Sequence, residues 1–537
     1  MCLVEEEGQR IDMEIKTSSP EIDLKDYETT IVLRQMTMDD FDALIEMQAA
    51  CFPGMEVWDR EHIESQLKMF PEGQFCIEID GKLAGSASGL IVDFSSYTEW
   101  HNWREISDDG YIRNHHPDGD TFYGIEMMVH PEFRGMKLSR RLYEKRKQVC
   151  REHNLNRIMI AGRIPGYGAV ADEMTAREYV EEVMERSRLD PVLTPQLANG
   201  FVLKQLIPSY LDEDTASRGY ATFLEWTNLD YVPESAATRT TKVELVRICS
   251  VQLNMKKIEN FEEFAEQVEF FVDVASDYRC DFQLFPELMS LELLHLTKAR
   301  QPGFAVRGLA DYTPQILELF SDMAIRYDIN IIGGSHFTLE EEGLFNISYL
   351  FRRDGTLGKQ YKLHITPNER RWWGTLPGDT MEVFQTDRGK IAINLDYDVQ
   401  FPELGRVAAA RGARILFVPF SSDTRNGYLQ VRTCAQARAI ENGVYVAISG
   451  SVGNMPNAPN GDTHYAQSGI FTPVDISFSR DGIAGECTPN IETVIIQELD
   501  LTLLARHRAT GTVQNWNDRR GDLYKVRYFD GGKVEDV

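Results

Sequence analysis

The chain has 537 residues and carries 84 acidic against 56 basic side chains, so 84 − 56 leaves a formal net charge of −28. At roughly 100–200 residues per domain this length excludes a single small module, and a 42 % hydrophobic fraction with 26 % charged residues excludes a disordered or fibrous chain. The acidic excess argues against a general nucleic-acid binder and against adhesion to an anionic membrane, because both need clustered Lys and Arg.

No window approaches about 18 consecutive apolar residues. The opening Met1-Cys2-Leu3-Val4-Glu5-Glu6-Glu7 has neither the basic region nor the apolar core of an export signal, which predicts a soluble, cytoplasmic protein. The eight cysteines, at 2, 51, 76, 150, 249, 280, 434 and 487, are far apart and form no CxxC pair, so reduced, part-buried thiols are expected. Residues 1–28 are polar, acidic and weakly patterned, and read as a loose lead-in. A strand follows at Thr30 to Leu33. Thr37 stands three before Asp40 as a variant capping box, opening a helix whose Phe41, Leu44, Ile45 and Phe52 share a face. After a second helix near Arg60 to Phe70, two strands meet at Asp80-Gly81, a dipeptide suited to the positive φ angles of a tight hairpin. The first half ends with strand Phe122 to Val129, helix Leu138 to His153, strand Arg157 to Ile160 and two more apolar runs at Phe201 to Ile207 and Tyr220 to Trp226. This is a mixed α/β layer, and it spans 29–228.

Residues 229–241 lack an apolar period and read as a linker. Strand and helix signals then alternate from Val243 to about residue 511, as expected of a layered α/β sandwich. Residues 512–537 are polar and read as an exposed extension.

The segment Val129-His130-Pro131-Glu132-Phe133-Arg134-Gly135-Met136-Lys137-Leu138-Ser139 runs from a strand end through a proline turn into a helix start, where unpaired backbone N–H groups can cradle a pyrophosphate. In this order of elements it resembles the Q/R-x-x-G-x-G/A motif of the GNAT acyltransferases. Arg134 fills the first position, while Lys137 and Ser139 stand where that family has small residues. The resemblance implies acetyl-CoA, or another acyl-CoA, as cosubstrate, held by Val129 and by Arg134, Gly135, Met136, Lys137, Leu138 and Ser139. An amine then attacks the thioester, which requires removal of a proton from an ammonium of pKa about 10. Glu126 is placed like the base of some members, and Tyr179 and Tyr210 are possible acids. His115-His116 reads as a loop pair.

In the second half, Glu287 ends Leu284-Phe285-Pro286-Glu287, Lys362 lies in Gln360-Tyr361-Lys362-Leu363-His364, and Glu369 follows in Thr366-Pro367-Asn368-Glu369. Together these resemble the nitrilase superfamily of carbon–nitrogen hydrolases. Asp396-Tyr397-Asp398-Val399-Gln400-Phe401-Pro402-Glu403 matches that family's C-Y-D-x-x-F-P-E turn except at its first position. The resemblance makes Glu287 the base, Lys362 the oxyanion partner and Glu369 the second carboxylate, and puts Asp396 in the nucleophile slot. A thiolate attacks an amide to give a thioester that water opens, whereas a carboxylate is a poorer nucleophile whose anhydride collapses backward. Cys434 lies in a helical run and reads as a packing thiol. Three carboxylates around one lysine require at least one raised pKa or an added cation.

The chain is thus similar to a fusion of a GNAT domain with a nitrilase-like α-β-β-α sandwich over about residues 30–525. That fusion implies an N-acyltransferase joined to a hydrolase-like domain whose Cys-dependent activity is lost or altered. It also implies a small amine or amide substrate, no resident metal and a homodimer through the second domain. Two alternatives stand beside it: a bifunctional enzyme in which Asp396 supports hydrolysis with Glu287, and a non-catalytic metabolite-binding or scaffold protein. A binding or cation-holding remnant pocket at the second site also remains open.

Overall fold

The computed structural model describes residues 19, 22–94, 102–211, 213–232, 243–297, 301–455, 461, 463–530 and 533–537. Most of the predicted linker, most of the lead-in and part of the polar stretch from Ser95 to Asp120 lie outside the described residues. The chain forms two compact units, Thr29–Thr240 and a second that joins Met1–Glu28 to Thr241–Val537.

The first unit runs β1 (Ile31–Gln35), α1 (Phe41–Cys51), α2 (Arg60–Met69), β2 (Phe75–Ile79), β3 (Lys82–Val92), α3 (Trp103–Ser107) and β4 (Thr121–Val129). It continues with α4 (Leu138–Glu152), β5 (Arg157–Arg163), α5 (Ala176–Met184), α6 (Leu193–Ala198), β6 (Val202–Ile207) and β7 (Ala221–Thr227). The strands form one sheet in the order β1-β2-β3-β4-β5-β7-β6. The β2–β3 hairpin turns at Asp80 and Gly81 with φ of 48° and 76°, the two positive angles that the dipeptide predicts. Thr37 and Asp40 make the reciprocal capping box. Helix α4 is amphipathic, burying Leu138, Leu142, Tyr143, Val149 and Cys150 against the sheet, roughly 1.5–3 kcal/mol for each large apolar side chain.

Only β4 and β5 run parallel, and their pairing spans Thr121 to Gly124 against Arg157 to Ile160. On the other side of β4 the register shifts, with Ser88 opposite Glu126 but Gly89 opposite Gly124, so Ile125 is an extra residue. Such a bulge bends its strand. Beyond Gly124 and Ile160 the two strands continue to Val129 and Arg163 without pairing, which leaves a gap between them.

The second unit begins with β8 (Leu245–Asn254), α7 (Phe261–Asp277), β9 (Phe282–Leu284), α8 (Pro302–Leu309), α9 (Thr313–Arg326) and β10 (Asn330–Ile332). Next come β11 (His336–Glu340), β12 (Gly343–Phe351), β13 (Leu357–Tyr361), β14 (Val383–Thr386), β15 (Gly389–Ile393), α10 (Pro402–Ala410), β16 (Ile415–Phe420), α11 (Arg425–Asn442) and β17 (Tyr445–Asn454). The unit closes with β18 (Thr463–His464), β19 (Gly469–Phe471), β20 (Ile483–Glu486), β21 (Thr493–Asp500), α12 (Leu501–Thr510), β22 (Arg527–Asp530) and β23 (Lys533–Asp536). Alternation along each strand sorts its side chains between two cores. Ile415 and Phe417 of β16 join Ile248, Phe282 and Leu284 in a layer between sheet halves, while Leu416, Val418 and Phe420 face α11. On the opposite outside, Cys249 and Val251 of β8 pack with Val268, Val272 and Phe320 of α7 and α9. The result is the α-β-β-α order that the sequence predicts, with its halves joined where β8 and β17 pair over Leu253 and Asn254.

Two expectations need correction. The described end of the lead-in is packed: Ile22, Leu24 and Tyr27 cover the α7–α9 core, and Glu28 accepts the Leu357 amide at 2.9 Å. Three apolar side chains in a polar segment suffice to anchor it. The C-terminal stretch is largely exposed yet ordered as the β22–β23 hairpin. Its Asp530 and Glu535 pair with Arg411 at 2.8 and 2.9 Å, and Tyr528 packs beneath the same guanidinium.

Candidate functional site

In the first unit the chain leaves β4 at Val129, makes a short turn over Pro131–Phe133 and enters α4 at Leu138. Gly135 has φ 85° and, among the described residues, nothing within 4 Å of a side-chain position, so no described residue covers the turn there. Lys137 precedes the helix in the left-handed region at φ 48°, a conformation a glycine takes freely and an L-residue takes at a cost of about 1–2 kcal/mol. Lysine therefore keeps the backbone path of the motif although it departs from its sequence. The Lys137 side chain makes no capping hydrogen bond to α4, and the leading N–H groups and positive dipole end of such a helix suit an anion. The gap between β4 and β5 lies before this turn, where β4 runs on to Val129 without pairing to β5.

Glu126 stands in the bulged part of β4, half-buried, with Ser86 Oγ donating at 3.3 Å to its carboxylate. The fully buried Arg146 of α4 donates from Nη2 to the Glu126 carbonyl and, at 3.0 Å, to that of Ser88. Gly124 makes room for this guanidinium, which a side chain there would strike at 2.7 Å. Burial pushes the Glu126 carboxyl up to about 8, with Arg146 and the serines pulling the other way. Cys51 donates its Sγ–H to the Val129 carbonyl at 3.2 Å and also feels Arg134 and Glu126, so the end of α1 meets the top of β4.

The two candidate acids are both buried and hydrogen-bonded to other side chains. Tyr179 is buried and donates to Asp190 at 2.8 Å; Tyr210 is buried and its hydroxyl meets that of Tyr123 at 3.1 Å. Desolvation, with the Asp190 hydrogen bond in the case of Tyr179, raises both phenols further from release of a proton. His115 stacks on Phe70 with ring centroids 4.5 Å apart and accepts the Ile91 amide, a packing role.

In the second unit the four predicted residues converge. Glu287 follows β9, Lys362 follows β13, Glu369 begins a short helical turn and Asp396 opens the turn after β15. Lys362 Nζ lies 2.9 Å from Glu287 Oε1, 2.9 Å from Glu369 Oε2 and 3.5 Å from Asp396 Oδ2. The lysine and both glutamates are almost fully buried, and Asp396 is 14 % exposed. Gly334, at φ 64°, lets its loop approach the Pro286 carbonyl, where a side chain would clash at 1.9 Å, and so braces Glu287.

Burial drives the Glu287 carboxyl well up, and repulsion from Asp396 and Glu369 adds to it; Lys362 opposes both. Burial likewise pushes Asp396 up to about 6. For Glu369 burial is outweighed by Lys362 and by the Thr366 amide and hydroxyl, so its carboxyl is held down. Burial would lower Lys362, but the three carboxylates raise it. The site thus holds an ionic Lys362–Glu369 pair flanked by Glu287, whose protonated form burial favours, and by Asp396, whose carboxyl is raised to about 6. The cation among the carboxylates is the lysine itself; among the described residues no group of three or more His, Cys, Asp or Glu is placed to hold a metal. Replacing Lys362 by Met strands buried negative charge and is expected to destabilise this unit by about 3–5 kcal/mol. Chemical denaturation checks it, and the loss should be smaller at pH 5 than at pH 8, where the carboxylates are ionised.

Sequence reasoning passed over two residues here. Asn346, a lone amide in the apolar run of β12, donates from Nδ2 to Glu287 Oε1 at 2.9 Å and Glu369 Oε1 at 3.2 Å, while its carbonyl accepts the Lys362 amide. Asp398 accepts from the amides of Leu363 and His364 and from His364 Nδ1, at 2.8–3.1 Å, and Phe401 stacks on that imidazole at 3.5 Å. The Asp396 turn is thereby latched to the Lys362 strand end. A carboxamide in a strand buried on both faces is the signal that could have found it, because a buried amide needs hydrogen-bonding partners.

Residues 247–509 match the carbon-nitrogen hydrolase family, and residues 41–171 match the acetyltransferase (GNAT) family. The chain is 54 % identical over 510 residues to the probable hydrolase YhcX of Bacillus subtilis, covering 95 % of this chain and 99 % of that protein. It is 35 % identical over 205 residues to the uncharacterized N-acetyltransferase YkwB of the same organism, covering 37 % of this chain and 90 % of the relative. The chloroplastic omega-amidase of Arabidopsis thaliana is 30 % identical over 216 residues, which cover 39 % of this chain and 55 % of that protein. Among the described residues no helix is long and apolar enough to cross a membrane.

Proposed function

Because the chain belongs to the family that fuses a GNAT acetyltransferase domain to a nitrilase-superfamily carbon-nitrogen hydrolase domain, we propose that it is an acyl-CoA-dependent N-acyltransferase whose hydrolase domain has lost thioester chemistry. The observation that carries the first part is the half-buried Glu126, its carboxyl raised to about 8, in the gap that adjoins the turn at Arg134–Ser139 and the start of α4. In this reading acetyl-CoA lays its pyrophosphate on that turn and its thioester in the gap. Glu126 takes a proton from the acceptor ammonium, and the amine attacks the thioester carbon with departure of the CoA thiolate.

In the second domain Asp396 occupies the place where carbon-nitrogen hydrolases carry their nucleophilic thiol. Glu287, Lys362 and Glu369 then surround a carboxyl that cannot form a thioester, and the pocket serves in ligand binding or assembly. The proposal extends to a cytoplasmic homodimer paired through this domain. Titration of the full-length protein with acetyl-CoA in a calorimeter tests the first part: saturable binding of one equivalent per chain is expected, weakened by Arg134→Ala, and no heat at millimolar acetyl-CoA would overturn it.

A further inference from the structure

At the top of the β4–β5 gap lies a cation that the proton-transfer chemistry does not use. Arg163 is the last residue of β5, three beyond the last β4–β5 pair, and Glu126 is two beyond it on β4. The two are therefore offset by about one residue, some 3 Å, along neighbouring strands. They share a face of the sheet. Met128, two residues after Glu126, packs with Leu44 and Met47 of α1, and the Arg163 guanidinium lies over Phe52, which caps that same helix, 5.3 Å from its ring centroid.

Arg163 is also fixed in place. Its Nε and Nη2 each donate at 2.6 Å to the carboxylate of Asp214, which is 2 % exposed and accepts the Ser217 amide as well. A bidentate partner below and an aromatic ring alongside leave the guanidinium 24 % exposed, and its Nη1 makes no hydrogen bond among the described residues. A planar fork held this way presents its remaining N–H groups in one direction, which suits a carboxylate.

We propose that the acyl acceptor is a small amino carboxylate, its ammonium at Glu126 and its carboxylate on the outer edge of Arg163. This rests on the acyltransferase reading and specifies its substrate class. Glu126 is the catalytic base in that reading; Arg163 is the residue that selects the acceptor, and Asp214 positions it.

The test measures acetyl transfer from acetyl-CoA by full-length protein to amino carboxylates, from glycine through 5-aminopentanoate and the common α-amino acids, against matching amines that lack the carboxylate. At least tenfold higher kcat/KM is expected for one or more amino carboxylates over their matched amines, a margin in keeping with one charge-assisted hydrogen-bonded pair. Arg163→Met should raise KM for those acceptors about tenfold with kcat within about threefold, and Arg163→Lys should recover part of the loss. Acetyl-CoA affinity by calorimetry should not change. Since removing Arg163 alone strands the buried Asp214, the Arg163→Met/Asp214→Asn pair provides a folded counterpart and should show the same KM effect. Equal use of the matched amines overturns the inference while leaving the acyltransferase reading intact. Weakened acetyl-CoA binding in the Arg163 variants also overturns it, because the guanidinium then belongs to the cosubstrate. Acetyl-CoA binding without transfer to any amine overturns both.

Discussion

Glu126→Gln is expected to lower acetyl transfer by about 10²–10⁴-fold, the range for loss of a positioned general base, while leaving acetyl-CoA binding unchanged. The reasoning begins with the acceptor, whose ammonium has a pKa of about 10 and cannot attack until it loses a proton. An ordinary glutamate, near 4.5, is a weak match for that task. Burial in the bulged part of β4 lifts Glu126 to about 8, against the opposing pull of Arg146 and the Ser86 and Ser88 side chains. The active form is the carboxylate, so a raised pKa makes the rate climb with pH. Below about pH 8 the limiting rate should rise about tenfold per unit, and above it should level. The amide that Glu126→Gln introduces cannot titrate, so the variant should lose this limb. A variant that keeps both the slope and the turnover would assign the proton transfer to another group.

The second large effect is a gain. Asp396→Cys is expected to turn over small aliphatic amides at least about 10²-fold faster than the wild type and to accumulate an acyl-thioester visible by mass spectrometry. Position 396 already lies beside the Lys362 ammonium, which Glu287 shares, so a thiol there meets an oxyanion partner and, once Glu287 is ionised, a proton acceptor. Adding Lys362→Ala should abolish the gain. Wild-type amide turnover that depends on Lys362 would instead mean that Asp396 supports hydrolysis, by water activation with Glu287.

The parts of the fold legible in sequence were those written locally. Asp80-Gly81 specifies its hairpin because few other dipeptides accept two positive φ angles, and Thr37 with Asp40 marks a helix start because both partners lie within one turn. The hydrolase-like quartet was legible because its members lie in short motifs, three of them just after β9, β13 and β15 and Glu369 in a helical turn seven residues past Lys362, and the fold brings all of them to one ammonium. The partners of Tyr179 and Tyr210 were not legible because burial is not local: the groups that engage them, Asp190 and Tyr123, lie 11 and 87 residues away. The same holds for the C-terminal hairpin, whose acids look solvated until Arg411, over a hundred residues earlier, is brought beneath them. Arg163 gave no signal of its role in sequence, since its environment is assembled from α1, β5 and the turn before β7.

Asp398 and Phe401 hold the turn after β15 through the His364 segment, and Arg438 grips the Val399 carbonyl at 3.0 Å; none of these ties uses the side chain at 396. Residue 396 itself sits at φ 39°, a region that Asp and Asn enter more readily than most residues. The backbone of the turn is therefore held by its neighbours, while the side chain at 396 contributes charge, adding to the forces that raise Glu287 and Lys362. An exchange at this one position would change the electrostatics of the pocket without removing the ties that shape the turn.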